Sequence, residues 1–338
     1  MMEQFALRNF PVFASRPSAE YISRWRQHIE KTGFPETFKN VSTNQPPRNA
    51  QVQLLSEEIK VPLGKRGGER VSCPLCSPTA PKFGTGRMAY FPESMDVRFI
   101  GHECAKHYLG ENYRAAERVF AIETKCLEYQ AMWVRTADKL NALEAFIKGL
   151  LTPAKALQFT REYLDLRAKG FAEFLFKDRM HNTGQLAFGQ GHRAASKDLH
   201  GLVFLTPDFD PARQLEKALD ACRDLRRPLP AWVVEDSECE ASKEIIRRGR
   251  GAEKALKQLR SIRDRVVDAQ KFLAPRNLRT LERWVAGGQS PFADMIFRWQ
   301  GTKVMLSCTS YKDRYYCELL VHPDYDAAVP TFTKGLEI

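Results

Sequence analysis

Four donor residues fall in two pairs of identical spacing: Cys73-Pro-Leu-Cys76 and Cys104-Ala-Lys-His107. Two residues between donors let both side chains of a pair reach one ion from a single turn of backbone. A tetrahedral Zn²⁺ accepts four such donors. The expected chemistry is a structural zinc site held by Cys73, Cys76, Cys104 and His107. His102 is the alternate fourth ligand, but His107 stands one helical turn from Cys104, where positions i and i+3 share a face. Glu103 would suit a hydrolytic zinc as its carboxylate base. Four protein donors argue against that, because a catalytic zinc keeps one position open. No paired carboxylates and no Ser-His-Asp or Cys-His arrangement stand at a spacing that supports catalysis, so an enzyme is not expected.

The elements that position these donors can be read outward from them. A strand, a Gly-rich turn (Gly64, Gly67, Gly68) and a second strand run from Ile59 to Val71 and lead into the first cysteine pair. A Ser-Pro-Thr-Ala-Pro loop follows Cys76. Arg87–Phe91 and Val97–Ile100 then alternate as two strands around the turn Pro92–Asp96. A helix begins just after Gly101, with the second donor pair in its first turns. This order of knuckle, hairpin and helix, over about residues 59–109, resembles a treble-clef zinc finger. The resemblance implies the fold of the module alone, since treble clefs host DNA, RNA and protein binding and some nuclease sites.

Upstream, Ser18 caps a helix carrying Tyr21, Ile22, Trp25 and Ile29 on one face, ended by Gly33 and Pro35. Thr37–Ala50, rich in Asn, Thr, Ser and Pro, reads as a linker. Downstream, Val119, Cys126, Trp133, Leu140 and Ile147 recur every seven residues, and Thr152-Pro153 breaks and restarts the helix. A second seam, Ile245, Ala252, Leu259, Val266 and Leu273, is lined with small residues that complement the large ones of the first. The two seams are expected to pair as an antiparallel coiled-coil hairpin. Between them, Leu202–Leu205 and Trp232–Val234 read as strands and Asp210-Pro211 starts a helix. The Gly189–His192 stretch lacks the Gly-Lys-Ser/Thr ending of a phosphate loop. Met295–Trp299, Lys303–Cys308 and Arg314–Val321 form a meander, with Cys308 and Cys317 facing each other across strands.

The expected fold class is α+β, mainly α. Its parts are an N-terminal helix and linker (1–50), a zinc finger (51–110), a first coiled-coil arm (111–180), a small α+β insert (181–240), a second, basic arm (241–288) and a C-terminal β-meander with its tail (289–338).

The 338 residues carry a formal charge of +11, which favours an acidic partner. Lys243–Arg283 holds thirteen cations against five acids, so an excess of eight charges sits on the second arm. Such a stripe suits phosphate backbones without reading sequence. The expected partner is nucleic acid, DNA or RNA, contacted through Lys82, Arg87 and Arg98 on the finger and Arg247, Arg248, Arg250, Arg260 and Arg263 on the arm. The alternative is a coiled-coil structural or adaptor protein that docks protein partners in a larger assembly, such as a phage particle or a secretion complex. Eight cysteines, no secretory signal and no apolar run long enough to span a bilayer point to a reducing, cytoplasmic setting without membrane insertion.

Overall fold

The computed structural model describes residues 13–180, 185–188, 195–234, 236–287, 292–301, 303–310 and 314–337. The chain is mainly helical, with its strands in small antiparallel sheets. It divides into two compact units, one made of Met1–Glu128 with Ala231–Lys243, the other of Tyr129–Pro230 with Glu244–Ile338. The Gly189–His192 stretch lies outside the described residues.

The first unit opens with α1 (Ala19–Thr32). The Ser18 hydroxyl accepts from the Tyr21 N–H and Gly33 closes the helix in the left-handed region, φ 79°, as Ser-start and Gly-stop signals dictate. The strands follow as β1 (Gln53–Leu54), β2 (Ile59–Lys60), β3 (Val71–Cys73), β4 (Ser77–Phe83), β5 (Thr85–Phe91) and β6 (Asp96–Gly101). Strand β5 is central. It pairs with β1 and β2 in succession along one edge (Gln53↔Tyr90, Ile59↔Gly86) and with β6 along the other (Tyr90↔Val97). The near-continuous apolar run Met88–Phe91 has a simple cause, because both faces of β5 are covered. Met88 and Tyr90 pack with Trp25 and Ile29 of α1, while Ala89 and Phe91 pack with Ala105, Leu109 and Tyr113. Those last residues belong to α2 (His102–Leu109) and α3 (Glu111–Ala137).

Two expectations change here. The stretch after Cys76 is not a loop but β4, paired with β3 through an irregular register. The segment read as a linker is an ordered strap. Asn44 O accepts from Arg98 Nε, Gln45 Nε2 donates to Leu75 O at 2.7 Å, and Pro46 O accepts from the Tyr108 hydroxyl. Two of the three bonds use the strap's own backbone carbonyls and only Gln45 uses a side chain, so composition alone does not reveal the order. Glu123 of α3 is buried and receives a two-pronged ion pair from Arg16 and a hydroxyl from Ser237, which ties the returning 231–243 segment into this unit.

The second unit is built on α4 (Leu140–Arg167), α5 (Phe171–Met180), α6 (Pro211–Leu225), α7 (Glu240–Lys257), α8 (Leu259–Phe272) and α9 (Pro275–Ala286). A small hairpin of β7 (Gln185–Phe188) and β8 (Ala195–Asp198) precedes α6. The meander β9 (Phe292–Gln300), β10 (Lys303–Ser310) and β11 (Arg314–Leu320) follows α9, in the order β11-β10-β9. Both seams are buried: Trp133, Leu140 and Ile147 from the first, Ile245, Ala252, Leu259, Val266 and Leu273 from the second.

Their mutual arrangement differs from the expected antiparallel hairpin. Helix α6 runs antiparallel to α4, as Gln158 meets Ala212, Lys155 meets Glu216 and Glu144 meets Arg226. It also runs antiparallel to α7 and α8, as Asp224 meets Arg248 and Asp208, just before α6, meets Arg265. The two arms therefore run in the same direction with α6 as the return helix. The large-against-small fit of the seams shows that they are buried but carries no information on direction.

Local readings also change. Pro153 does not break the helix, since α4 runs through it, and the residue four positions back is Gly149, which has no side chain to add to the crowding. Leu202–Leu205 is a 3₁₀ turn rather than a strand, entered through Gly201 at φ 76°. Trp232–Val234 forms no strand. Cys308 and Cys317 are both buried on one face of the meander, but Cys308 lies opposite Tyr315 and Cys317 opposite Leu306, so they are diagonal neighbours. Burial pushes their thiols up, to about 12 and about 11.

Candidate metal centre and basic surface

Cys73 ends β3 and Cys76 comes after a tight turn in which the Cys76 N–H donates to Cys73 O at 3.3 Å. The strap of residues 40–50 holds this turn from outside, through Gln45 on Leu75 O. Cys104 comes from the first turn of α2, whose start is fixed by Gly101 in extended conformation. Strand β6 feeds directly into that helix, so the paired β5 and β6 deliver Cys104 to the β3–β4 turn.

The three sulfurs lie within 4.8 Å of one another, close enough to hold one metal ion. Cys76 and Cys104 are 3.2 Å apart, well beyond the ~2.05 Å of a disulfide. Desolvation pushes the Cys104 thiol up to about 12 and raises Cys73 as well. Without a cation, these thiols therefore remain protonated near neutral pH. Soft donors converging in a partly desolvated cluster are a set that a thiophilic metal ion fits, and such an ion displaces the thiol protons. Among the described residues no other group of three or more such donors converges this closely.

Neither histidine joins the three sulfurs within that 4.8 Å group. His107 is exposed, one turn along α2 from Cys104. His102 is engaged elsewhere, its Nδ1 3.1 Å from the Tyr113 hydroxyl, 3.5 Å from Glu58 and 3.6 Å from Glu117. Tyr113 is fully buried, and desolvation raises its phenol far above the ordinary range. Gln45 and Tyr108, which brace the site, are not singled out by sequence reasoning, because nothing in local spacing connects residue 45 to residue 75.

Comparison with protein-family models, with curated proteins and with solved structures returned no match.

The expected phosphate-contacting cations fall into three groups. Arg98 is 2 % exposed, pairs with Asp96, donates to Asn44 O and stacks on the Phe91 ring, so it is a core residue of the module. Arg248 is likewise buried, 9 % exposed, spent on Asp224, Pro228 O and Arg227 O, with its guanidinium over Trp133. Both leave the candidate surface. Sequence could not reveal this, because burial depends on partners far along the chain.

Arg87, Arg247, Arg260 and Arg263 each have a carboxylate within 4 Å: Glu58 and Glu117, Glu244, Glu337 and Asp264 respectively. Lys82 and Arg250 are exposed, with no ion pair among the described residues.

Of the thirteen cations between Lys243 and Arg283, eight have an acid partner. The other five, Arg250 and Lys254 on α7 and Arg276, Arg279 and Arg283 on α9, are exposed and have none among the described residues. Arg247 and Lys254 also line a groove of about 620 Å³ between α6 and α7, with Lys217 on the opposite wall and Gly251, Ala252 and Ala255 among its lining. Among the described residues no helix is long and apolar enough to cross a membrane.

Proposed function

We propose that this chain is a zinc-stabilised nucleic-acid-binding protein that contacts the phosphate backbone through its basic helices. The observation that carries the reading is the set of five exposed cations on α7 and α9 that lack acid partners among the described residues. A positive surface of this kind binds phosphodiesters by releasing their counterions.

The metal is assigned as structural zinc. Four ligands at Zn–S bonds of ~2.3 Å place sulfurs ~3.8 Å apart in a tetrahedron. Cys76 and Cys104, 3.2 Å apart, would separate slightly to accommodate that. His107, one turn along α2 from Cys104, would supply the fourth donor of a treble-clef-like finger over about residues 59–109. The finger acts as the anchor of its module rather than as the binding surface, since Arg98 is buried and Arg87 is paired within it. The cysteines are free thiols, in keeping with a reducing, cytoplasmic setting.

A structural or adaptor role is the second reading. Val134 on α3 is 74 % exposed, and a protein partner would cover it. The deciding experiment is an electrophoretic mobility shift with labelled duplex DNA and single-stranded RNA. Binding at ~50 mM salt, where phosphate contacts are strongest, is the expected result. No shift with either probe at that salt would overturn the proposal and leave the adaptor reading.

A further inference from the structure

The candidate cations from Arg247 to Arg263 lie on α7 and α8, yet those helices neutralise most of their own charge. On α8, Arg260, Arg263, Arg265 and Lys271 all meet carboxylates. On α7, Lys243, Arg247 and Lys257 are paired and Arg248 is buried. Helix α9 is different. Arg276, Arg279 and Arg283 are exposed, and no carboxylate among the described residues lies within ion-pair distance of any of them. The one acid of that helix, Glu282, is turned to β9, where it accepts from the Phe297 N–H at 2.5 Å. Positions i, i+3 and i+7 fall within about 60° of one another around a helix and span ~10.5 Å along its axis. The three guanidinium groups therefore form a single row.

We infer that the Arg276–Arg279–Arg283 row of α9 is a phosphodiester-binding surface, and that it makes the principal backbone contacts of this protein. The inference rests on the nucleic-acid reading proposed above and narrows its contact surface, shared there between α7 and α9, to α9. Arginine suits the task, since its planar fork matches two phosphate oxygens at once. An anionic membrane shares the phosphate chemistry, but α9 has nothing to insert into one. Its apolar face, Leu278, Leu281, Trp284 and Val285, is buried within the unit. Interfacial helices need such residues exposed beside their cations. Because the row is held on a packed helix, its geometry is set before the ligand arrives, which limits the ordering cost of binding.

The test compares the full chain with the Arg276→Gln/Arg279→Gln/Arg283→Gln variant and with Arg250→Gln/Lys254→Gln as the α7 control. Each is titrated with fluorescein-labelled duplex DNA of about 20 base pairs over a salt series. Each lost phosphate contact removes about 0.9 from the slope of log K against log salt. The α9 variant is expected to lose about 2–3 from the slope and the α7 control less than 1. Circular dichroism and the denaturation midpoint are expected to be unchanged, because all three side chains are exposed. Should the triple variant fold poorly, Arg279→Gln alone serves, with a loss of about 1. A wild-type slope in the folded α9 variants, while the wild type itself binds, overturns the α9 assignment and leaves nucleic-acid binding standing. A wild type that binds no oligonucleotide but binds phosphatidylserine vesicles in an α9-dependent manner overturns both.

Discussion

Cys73 is fully buried, Cys104 half-buried and Cys76 exposed, so the three thiols of the candidate centre form a graded path from core to solvent. The burial that raises Cys73 and Cys104 also keeps them protonated when no cation is present. A metal held by the three cysteines would replace those protons and link β3 to α2 across the module, so its binding free energy would become folding free energy. In the Cys73→Ser variant, metal content measured by mass spectrometry is expected to fall from one equivalent to near zero, with loss of the finger's cooperative unfolding. One retained equivalent would refute the ligand assignment. At this scale the Cys73-x-x-Cys76 spacing and the placement of Cys104 in the first turn of the helix made the three-cysteine cluster legible, whereas His107 stands outside it. The Gln45 brace and the burial of Arg98 and Arg248 were not legible, because each depends on a partner far away in sequence.

The helices and strands with local start and stop signals were legible too. Ser18, Gly33 and the Asp210-Pro211 start all act where the sequence placed them, Asp210 accepting from the Arg213 N–H. Signals failed where tertiary context decides. Pro153 is tolerated inside α4, and the apolar run Leu202–Leu205 closes as a 3₁₀ turn whose last carbonyls receive Arg161. Two glycines of α7 show the same dependence on context. A side chain at Gly249 would come within 2.1 Å of the Tyr129 ring, whereas Gly251 has nothing within 4 Å. Gly249→Ala is therefore expected to destabilise the second unit by about 1–3 kcal/mol through overpacking. Gly251→Ala, at an exposed helical position, is expected to stabilise it by up to ~1 kcal/mol. Urea denaturation of both variants checks the pair. Equal shifts would mean that α3 and α7 do not pack as closely as Tyr129 and Gly249 indicate.

Across the whole molecule, the α+β, mainly α class and the C-terminal meander were readable from periodicity. The direction of the arms was not, because a heptad seam marks a buried stripe without stating which helix covers it. Helix α6, assigned by sequence to an insert, is the return element that lets both arms run the same way. Charge behaved similarly. Its total and its segment were visible in sequence, but its neutralisation along α8 and most of α7, and its persistence on α9, emerge only once partners are placed. That distribution sets a quantitative expectation for nucleic-acid binding. Three α9 arginines acting alone give a slope of log K against log salt of about −2.7, and all five cations that lack acid partners among the described residues give about −4.5. The most direct test is the affinity of the full-length wild-type chain for a labelled duplex, measured between ~50 and ~200 mM salt. A slope between about −2.7 and −4.5 is the predicted result; binding that does not change with salt, or no binding at the lowest salt, would contradict the account.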